Sequence, residues 1–325
     1  MKLVPFGSTG VNVSQMCLGT MMFGYRANEA ESKRILDAAI DSGVNFLDTA
    51  AVYSEGVTEE IMGRALTGKR DKAFIVTKVN VSTGPEYVDA ISTSLDASLK
   101  RLQTDHVDTF LLHWPRPDMD PVAIMEQLNA VVQAGKTRFI GCSNFPAWLV
   151  AHFNAIAAKN GWAQLVNNQI PYNLIERGAE VEVLPQAVAT PIAITCYRPL
   201  MAGVLAGKYD PDKSLPEGTR AEDDERLEAW LRGHDDGVRK LLSLAKTHNV
   251  PASHVTIAWL KEQPGVTCPI VGVSRLEQFE DAAKAFDFSL LAEEREELAA
   301  AFNSEVKEVS QSYGPLRRSH KLLAG

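Results

Sequence analysis

Short apolar runs of strand length alternate along this chain with longer segments whose apolar residues recur every three or four positions. The first pattern is that of a buried strand and the second that of a helix packed by one face. The stretch from Leu3 to Val13 carries a Gly7-Ser8-Thr9-Gly10 turn signal between two short extended runs, which predicts a β-hairpin over about residues 3–13. Strands are then expected at Gln15–Leu18, Asn45–Leu47, Phe74–Thr77, Val107–Leu112, Arg138–Cys142, Gln164–Asn168, Ile192–Cys196 and Thr267–Val271. Between them fall amphipathic helices. One covers Glu29–Asp41, with Ile35, Leu36, Ala39 and Ile40 on one face, and another carries Val88, Ile91, Leu95, Leu99 and Leu102. Pro121 opens a helix closed by Gly135, and Asn160-Gly161 ends the next. From about residue 205 to 236 a Gly-, Pro- and charge-rich stretch interrupts the rhythm as an excursion from the core. Helices are expected again at Val238–His248, Ser253–Glu262, Leu276–Phe286 and Ala292–Phe302, and the tail over 303–325 shows little periodicity.

Eight strand–helix units linked by right-handed crossovers predict a parallel sheet. The count of eight, and the lack of a Gly-x-Gly-x-x-Gly after any strand, favour closure into a (β/α)8 TIM barrel over an open doubly wound sheet. The chain is therefore expected to be a single α/β barrel domain over residues 1–325, with the N-terminal hairpin and extra helices added. Gly203-Val204-Leu205-Ala206-Gly207-Lys208 superficially resembles a phosphate-binding loop. It has three residues between its glycines where that loop needs four, and Tyr209 stands where Ser or Thr would hold magnesium.

Composition narrows the functional classes. The 325 residues are 45% hydrophobic and 23% charged, with a formal net charge of −8, which argues against a nucleic-acid or anionic-membrane partner. No stretch approaches the roughly 18 apolar residues of a membrane span, and no secretory leader is visible after Met1, so a cytoplasmic location is expected. Cys17, Cys142, Cys196 and Cys268 lie in scattered apolar runs, read as buried thiols, and no pair has metal-ligand spacing.

The chemistry is carried by position. Asp48, Lys78, His113, Asn144 and Gln169 each stand at the carboxyl end of an expected strand, and in a barrel those ends meet at one mouth. Tyr53 follows Asp48 on the adjoining loop. A lysine cation beside a phenol stabilises its phenolate, a buried lysine needs an anion such as Asp48 to stay charged, and His113 could donate to a carbonyl oxygen. Such a set suits reduction of an aldehyde or ketone, with the hydride supplied by a nicotinamide cofactor because no side chain can provide one. A Schiff-base lyase at Lys78 remains an alternative.

Six ordered motifs resemble the aldo-keto reductase superfamily over nearly the whole chain. They are Leu18-Gly19-Thr20-Met21-Met22-Phe23-Gly24, Asn45-Phe46-Leu47-Asp48-Thr49-Ala50 with Tyr53, and Val76-Thr77-Lys78. Leu112-His113-Trp114-Pro115, the run from Gly135 to Phe145, and Asn168-Gln169-Ile170-Pro171-Tyr172-Asn173 complete the series. The resemblance implies Tyr53 as general acid, Lys78 and Asp48 as its tuning pair, His113 polarising the carbonyl, and transfer of the pro-R hydride. It also implies a cofactor lying across the barrel mouth, near Gly19, Thr20, Met21 and Asp48. Ser143, Asn144 and Gln169 match the positions that hold the nicotinamide carboxamide, and Tyr197 matches the aromatic that stacks on the ring. Arg198, Pro199, Leu200, Gly203, Leu205, Gly207 and Lys208 resemble the loop over the pyrophosphate.

Gly272, Ser274 and Arg275 resemble the adenosine 2′-phosphate site, with Gln278 and Asp281 near the adenine and ribose. An arginine at a helix start suits a phosphate dianion, so NADP(H) is preferred, with NAD(H) possible. Two positions depart from the family pattern: Arg198 replaces a small serine, and Ala282 an asparagine that reads the adenine. Met21, Met22, Phe23, Tyr53, His113, Trp114 and, in the tail, Tyr313 with Leu316 are the expected substrate-pocket residues, suited to a non-ionic carbonyl compound. A redox-sensing, cofactor-binding subunit resembling the potassium-channel beta subunits is the alternative function.

Overall fold

Side-chain alternation within ten strands decides what faces the barrel axis in this computed structural model, which describes residues 1–79, 88–212 and 225–302. Strands β1 (Leu3–Pro5) and β2 (Asn12–Ser14) pair antiparallel as the expected hairpin. The other eight are β3 (Cys17–Gly19), β4 (Phe46–Asp48), β5 (Phe74–Val79), β6 (Val107–Leu112), β7 (Thr137–Ser143), β8 (Leu165–Pro171), β9 (Ala193–Tyr197) and β10 (Cys268–Gly272). They pair in parallel as a closed barrel, with β10 lying between β9 and β3, so the (β/α)8 expectation holds.

Helices α1 (Glu29–Asp41), α2 (Val57–Ala65), α3 (Asp89–Leu102), α4 (Pro121–Gln133), α5 (Ala147–Asn160) and α6 (Val183–Ala189) follow successive strands. Local chemistry starts several of them. Asn28 accepts from the Glu31 amide at the head of α1, and Asp120 accepts from Val122 and Ala123 with Pro121 in the first turn of α4. Outward strand residues such as Leu18, Leu47, Ile75 and Phe110 pack with the helices' apolar faces into one extensive core. The excursion over 205–236 contains a helix that periodicity does not predict, α7 (Glu225–Arg232), followed by α8 (Asp235–His248) and α9 (Ala252–Lys261). Leu227 and Leu231 are the buried anchors of α7. Helices α10 (Leu276–Lys284) and α11 (Ala292–Ala301) end the described chain.

Inside the barrel, residues two apart point the same way. The lower layers are apolar, with Cys17, Phe46, Phe74, Val76, Leu111, Cys268 and Ile270 in one cluster. Phe6, on the hairpin turn, closes the floor with its ring 5.5 Å from Phe46 and 4.9 Å from Phe74. Beside it Asp108, at the barrel floor, accepts from Arg70, Arg138 and the Ile75 amide. Two positions beyond the apolar layer, the same alternation brings Asp48 and Lys78 onto the axis at the opposite end. That end is the mouth.

Candidate active site

Lys78 is fully buried, and its ammonium has three hydrogens to place. They go to Asp48 Oδ2 at 2.7 Å, the Thr49 carbonyl at 2.7 Å and the Tyr53 hydroxyl at 3.1 Å. The Tyr53 oxygen thus accepts from the cation, which leaves its own O–H to be donated elsewhere. Burial works against the charge on Lys78, but Asp48 and then Tyr53 outweigh it and hold the ammonium above the ordinary lysine range. For Tyr53 the balance runs differently from the sequence expectation. Burial raises the phenol and exceeds the lowering by Lys78, so the net direction is upward. The phenol is held in its protonated form, and Lys78 acts on the anion that loss of the proton would create.

Tyr53 reaches this place through an unusual turn. Ser54, Glu55 and Gly56 all have positive φ, at 46°, 56° and 95°. The turn is tied down because Ser54 Oγ and Thr58 Oγ1 both donate to the Phe23 carbonyl, at 3.2 and 2.8 Å. Gly56 lies against Arg101, where a Cβ would come within 2.8 Å of the Arg101 Cδ. Arg101 in turn bonds Glu59 at 2.7 Å, and Thr77 donates to the other oxygen of that buried carboxylate at 2.5 Å. Thr77 is the outward neighbour of Lys78, so one carboxylate braces both the tyrosine's turn and the lysine's strand. Sequence reading passed over Glu59 and Arg101; both bonds join residues far apart in the chain.

His113 presents its ring edge-on to Tyr53 with centroids 6.3 Å apart, and Trp114 stacks beside it. Burial, helped by the Lys78 charge, pushes the imidazole down to about 3, so it is neutral near pH 7. Its Nδ1 is buried without a hydrogen-bond partner. A buried N–H without an acceptor costs more than a bare lone pair, so the proton belongs on Nε2, and the ring is a neutral donor.

The remaining predicted groups form one continuous network. Gln169 Nε2 donates to Asp48 Oδ1 at 2.7 Å. The Gln169 carbonyl accepts from Ser143 Oγ at 2.9 Å and from the Asn144 amide at 2.8 Å. Asn144, in the left-handed region at φ 65°, donates to the His113 carbonyl and to Ser143 Oγ, both at 3.0 Å, and accepts from the Tyr197 hydroxyl at 2.5 Å. Tyr197, under the Arg198 guanidinium, is pushed up to about 12, chiefly by burial. Thr20 donates to the Asp48 carbonyl from both its amide and its hydroxyl, and Gly19 lies beneath the Ile270 side chain.

Other predicted positions separate. Phe23 is wholly in the core and does not line a pocket; its carbonyl, not its ring, serves the Tyr53 turn. Leu205 is also a core residue, with its amide bonded to the Leu200 carbonyl and its own carbonyl accepting from Thr256, so nothing of it remains for a ligand. Met21 and Trp114 are exposed and Met22 half-buried. Tyr313 and Leu316 lie outside the described residues. Arg198, Gly207 and Lys208 are exposed around a turn in which Arg198, Met201, Ala202 and Gly203 all have positive φ, while Pro199 is buried. At the α10 start, Arg275 and Gly272 are exposed, Ser274 donates to Gln278 Oε1, and Asp281 lies 3.2 Å from His254. Glu31 from α1 accepts from the Leu276 amide at 2.7 Å, so an acid already caps that helix. No local pattern ties Glu31 to Leu276, which lies 245 positions later.

A buried lysine and aspartate thus stand with a half-buried tyrosine and histidine at the mouth of a (β/α)8 barrel. The Aldo/keto reductase family model matches residues 15–302, and the chain belongs to that family, whose members are oxidoreductases of carbonyl compounds. It is 35% identical to an uncharacterized oxidoreductase, YrpG, of Bacillus subtilis, over 89% of this chain and 92% of that protein. It is 31% identical to a putative voltage-gated potassium channel subunit beta of Schizosaccharomyces pombe, over 88% of this chain and 89% of that one. A crystal structure of a thermostable aldo-keto reductase, Tm1743, with the inhibitor epalrestat superposes with a TM-score of 0.76 at 28% identity, covering 93% of this chain and all of that one. Among the described residues no helix is long and apolar enough to cross a membrane.

Proposed function

We propose that the protein is an NADP(H)-dependent reductase that converts a non-ionic aldehyde or ketone to the alcohol, reversibly. The observation carrying this reading is the direction of the Lys78–Tyr53 bond: the cation donates to the phenol oxygen, leaving the phenol proton for the substrate. The residues fit a nicotinamide. Gln169 Oε1 is engaged in no hydrogen bond among the described residues and can accept from a carboxamide, while Tyr197 supplies an aromatic face. Bound there, NADPH would supply the hydride that the side chains lack.

The chain's own groups do the rest. His113 Nε2–H donates to the carbonyl oxygen and orients it, and Tyr53 delivers its proton to the same oxygen. Lys78, kept charged by Asp48, stabilises the phenolate left behind and makes the step reversible. Exposed Met21 and Trp114 would give the substrate apolar walls. Tyr53→Phe tests the assignment. Turnover of an aldehyde panel should fall by at least about 10³-fold, the upper part of what general acid catalysis contributes, with NADPH affinity nearly unchanged. Activity within tenfold of wild type would sink the reading.

Cofactor choice has features on both sides. Exposed Arg275 suits a 2′-phosphate, whereas the Glu31 carboxylate at the Leu276 amide opposes one. We assign NADPH, and fluorescence titration with NADPH against NADH decides it. The named potassium-channel relative supports a second reading, a redox sensor that binds cofactor with slow turnover. Failure to turn over any carbonyl compound while binding NADPH tightly would favour it.

A further inference from the structure

Beyond any contact with a nicotinamide, we propose that Gln169 is a positioning residue of the proton-transfer machinery, holding the carboxylate of Asp48 in the orientation that bridges Lys78. This rests on the reductase reading above. Asp48 is buried at 3% exposure, and each carboxylate oxygen has one side-chain partner, Oδ2 from Lys78 and Oδ1 from Gln169. A carboxylate held from one side only could rotate about its χ2 torsion, which is broad for aspartate. Gln169 supplies the second point. The amide must face this way, because an anionic carboxylate accepts only and Oε1 could not bond it.

The backbone of the same residue makes it a junction. Its carbonyl holds Ser143 and Asn144, which hold the His113 carbonyl and the Tyr197 hydroxyl. Gln169 therefore links two hydrogen-bonded groups, Tyr53–Lys78–Asp48 through its side chain and, through its backbone carbonyl, Ser143 and Asn144, of which Asn144 bonds the His113 main chain and Tyr197. One Nε2 hydrogen goes to Asp48 and Oε1 is the acceptor open to a ligand, so a single amide would sense the cofactor on one atom and steady the relay with the other.

The charged and titratable groups around Lys78 are Asp48 on β4, Tyr53 on the following turn, Cys17 on β3 and His113 after β6. Burial disfavours the ammonium and Asp48 is its main support. If Asp48 swings away, the ammonium loses its proton at lower pH and Tyr53 loses its partner.

Gln169→Met removes the donor at similar length. At saturating NADPH, kcat should drop at least tenfold, and the alkaline limb of its pH profile should move down by about one unit or more. Gln169→Glu sets a second carboxyl against Asp48 Oδ1, where the two share one proton and the new side chain still donates, so its kcat should exceed that of Gln169→Met at least threefold; a kcat no better than that of Gln169→Met would count against the proposal. A weaker NADPH affinity in Gln169→Met, with kcat at saturation and the pH profile unchanged, overturns the proposal and leaves Gln169 a cofactor ligand only. Thermal melting establishes that each variant is folded. NMR titration of the Lys78 Nζ resonance reads the same effect without turnover: deprotonation should begin at lower pH in Gln169→Met, and an unchanged curve would count against the proposal. An inactive wild type would defeat the reductase reading but leave this titration able to decide the role of Gln169.

Discussion

At the scale of single residues, neutrality rather than charge sets what His113 can do. Its folded form resists protonation to about pH 3, while an unfolded histidine takes up a proton near its ordinary value of 6.5. Below 6.5 the unfolded chain therefore binds the extra proton, and the His113 contribution to stability declines as pH falls from there toward 3. His113→Asn should remove that part of the acid sensitivity, measured as a smaller loss of melting temperature between pH 7 and pH 5 than in the wild-type protein. An equal loss would mean that the imidazole titrates normally in the fold. Much of the residue-level site was legible because Asp48, Lys78, His113, Asn144 and Gln169 interrupt apolar runs at strand ends. The direction of each side chain was not. Phe23 follows the mouth motif as closely as Met22 yet turns into the core, and the bond from Gln169 to Asp48 joins positions 121 residues apart.

Elements show the same division. Strand and helix periods located the barrel units, but several strands run past their expected ends. Asp48, Lys78 and Gln169, expected as the residues that end their strands, are themselves part of the ladder. A barrel interior can carry polar groups in its last layer because neighbouring strand ends satisfy them. Helix α7 escaped notice because it is only eight residues long and lies inside a Gly-, Pro- and charge-rich stretch, although Leu227 and Leu231 stand one turn apart on its buried face. Close approach between helices was also hidden. A Cβ on Gly63 of α2 would come within 2.5 Å of the Arg101 carbonyl oxygen and 2.8 Å of the Leu102 carbonyl carbon, both backbone atoms at the end of α3. Gly63→Ala should therefore cost about 1–3 kcal/mol despite the better helix propensity of alanine. Denaturant unfolding measures it, and a neutral or stabilising result would show that α2 can slide away. Because α2 also carries Glu59, the same variant should loosen the brace beneath Tyr53.

For the whole molecule, the two ends of the barrel divide the labour. The mouth holds the proposed chemistry, whereas the floor holds Asp108 with Arg70 and Arg138, and a cavity of about 520 Å³ opens among these groups. Arg70 spends its other hydrogens on Thr104, Ala73 and His106, which makes the cluster a fastening rather than a free cationic surface. Asp108→Ala leaves the Ile75 amide without its acceptor and two guanidinium groups without their anion. Arg138 is half exposed and stays hydrated, so a loss of about 2 kcal/mol is expected. The melting temperature should fall while kcat/KM, assayed well below it, stays near wild type, since sites on this fold draw on the opposite face. A large loss of kcat/KM with unchanged melting would overturn that division.

Barrel closure through β10 has a consequence for how the chain reaches its native state. Ile270 pairs with Cys17, so the seam joins the first barrel strand to one about 250 residues later. Until β10 is available, β3 and β9 are unpaired edges with apolar faces, the arrangement most prone to pairing with another chain. Contacts of such sequence separation are formed slowly, because the entropy of the intervening chain opposes them. A nascent polypeptide would thus carry nearly all of its prospective active-site groups, Asp48 through Tyr197, while still an open and adhesive sheet. A chain ending at residue 266 should accumulate as aggregate, or depend on a chaperone, when its sedimentation is compared with that of the full-length protein; a soluble monomer would show that the sheet tolerates its open seam.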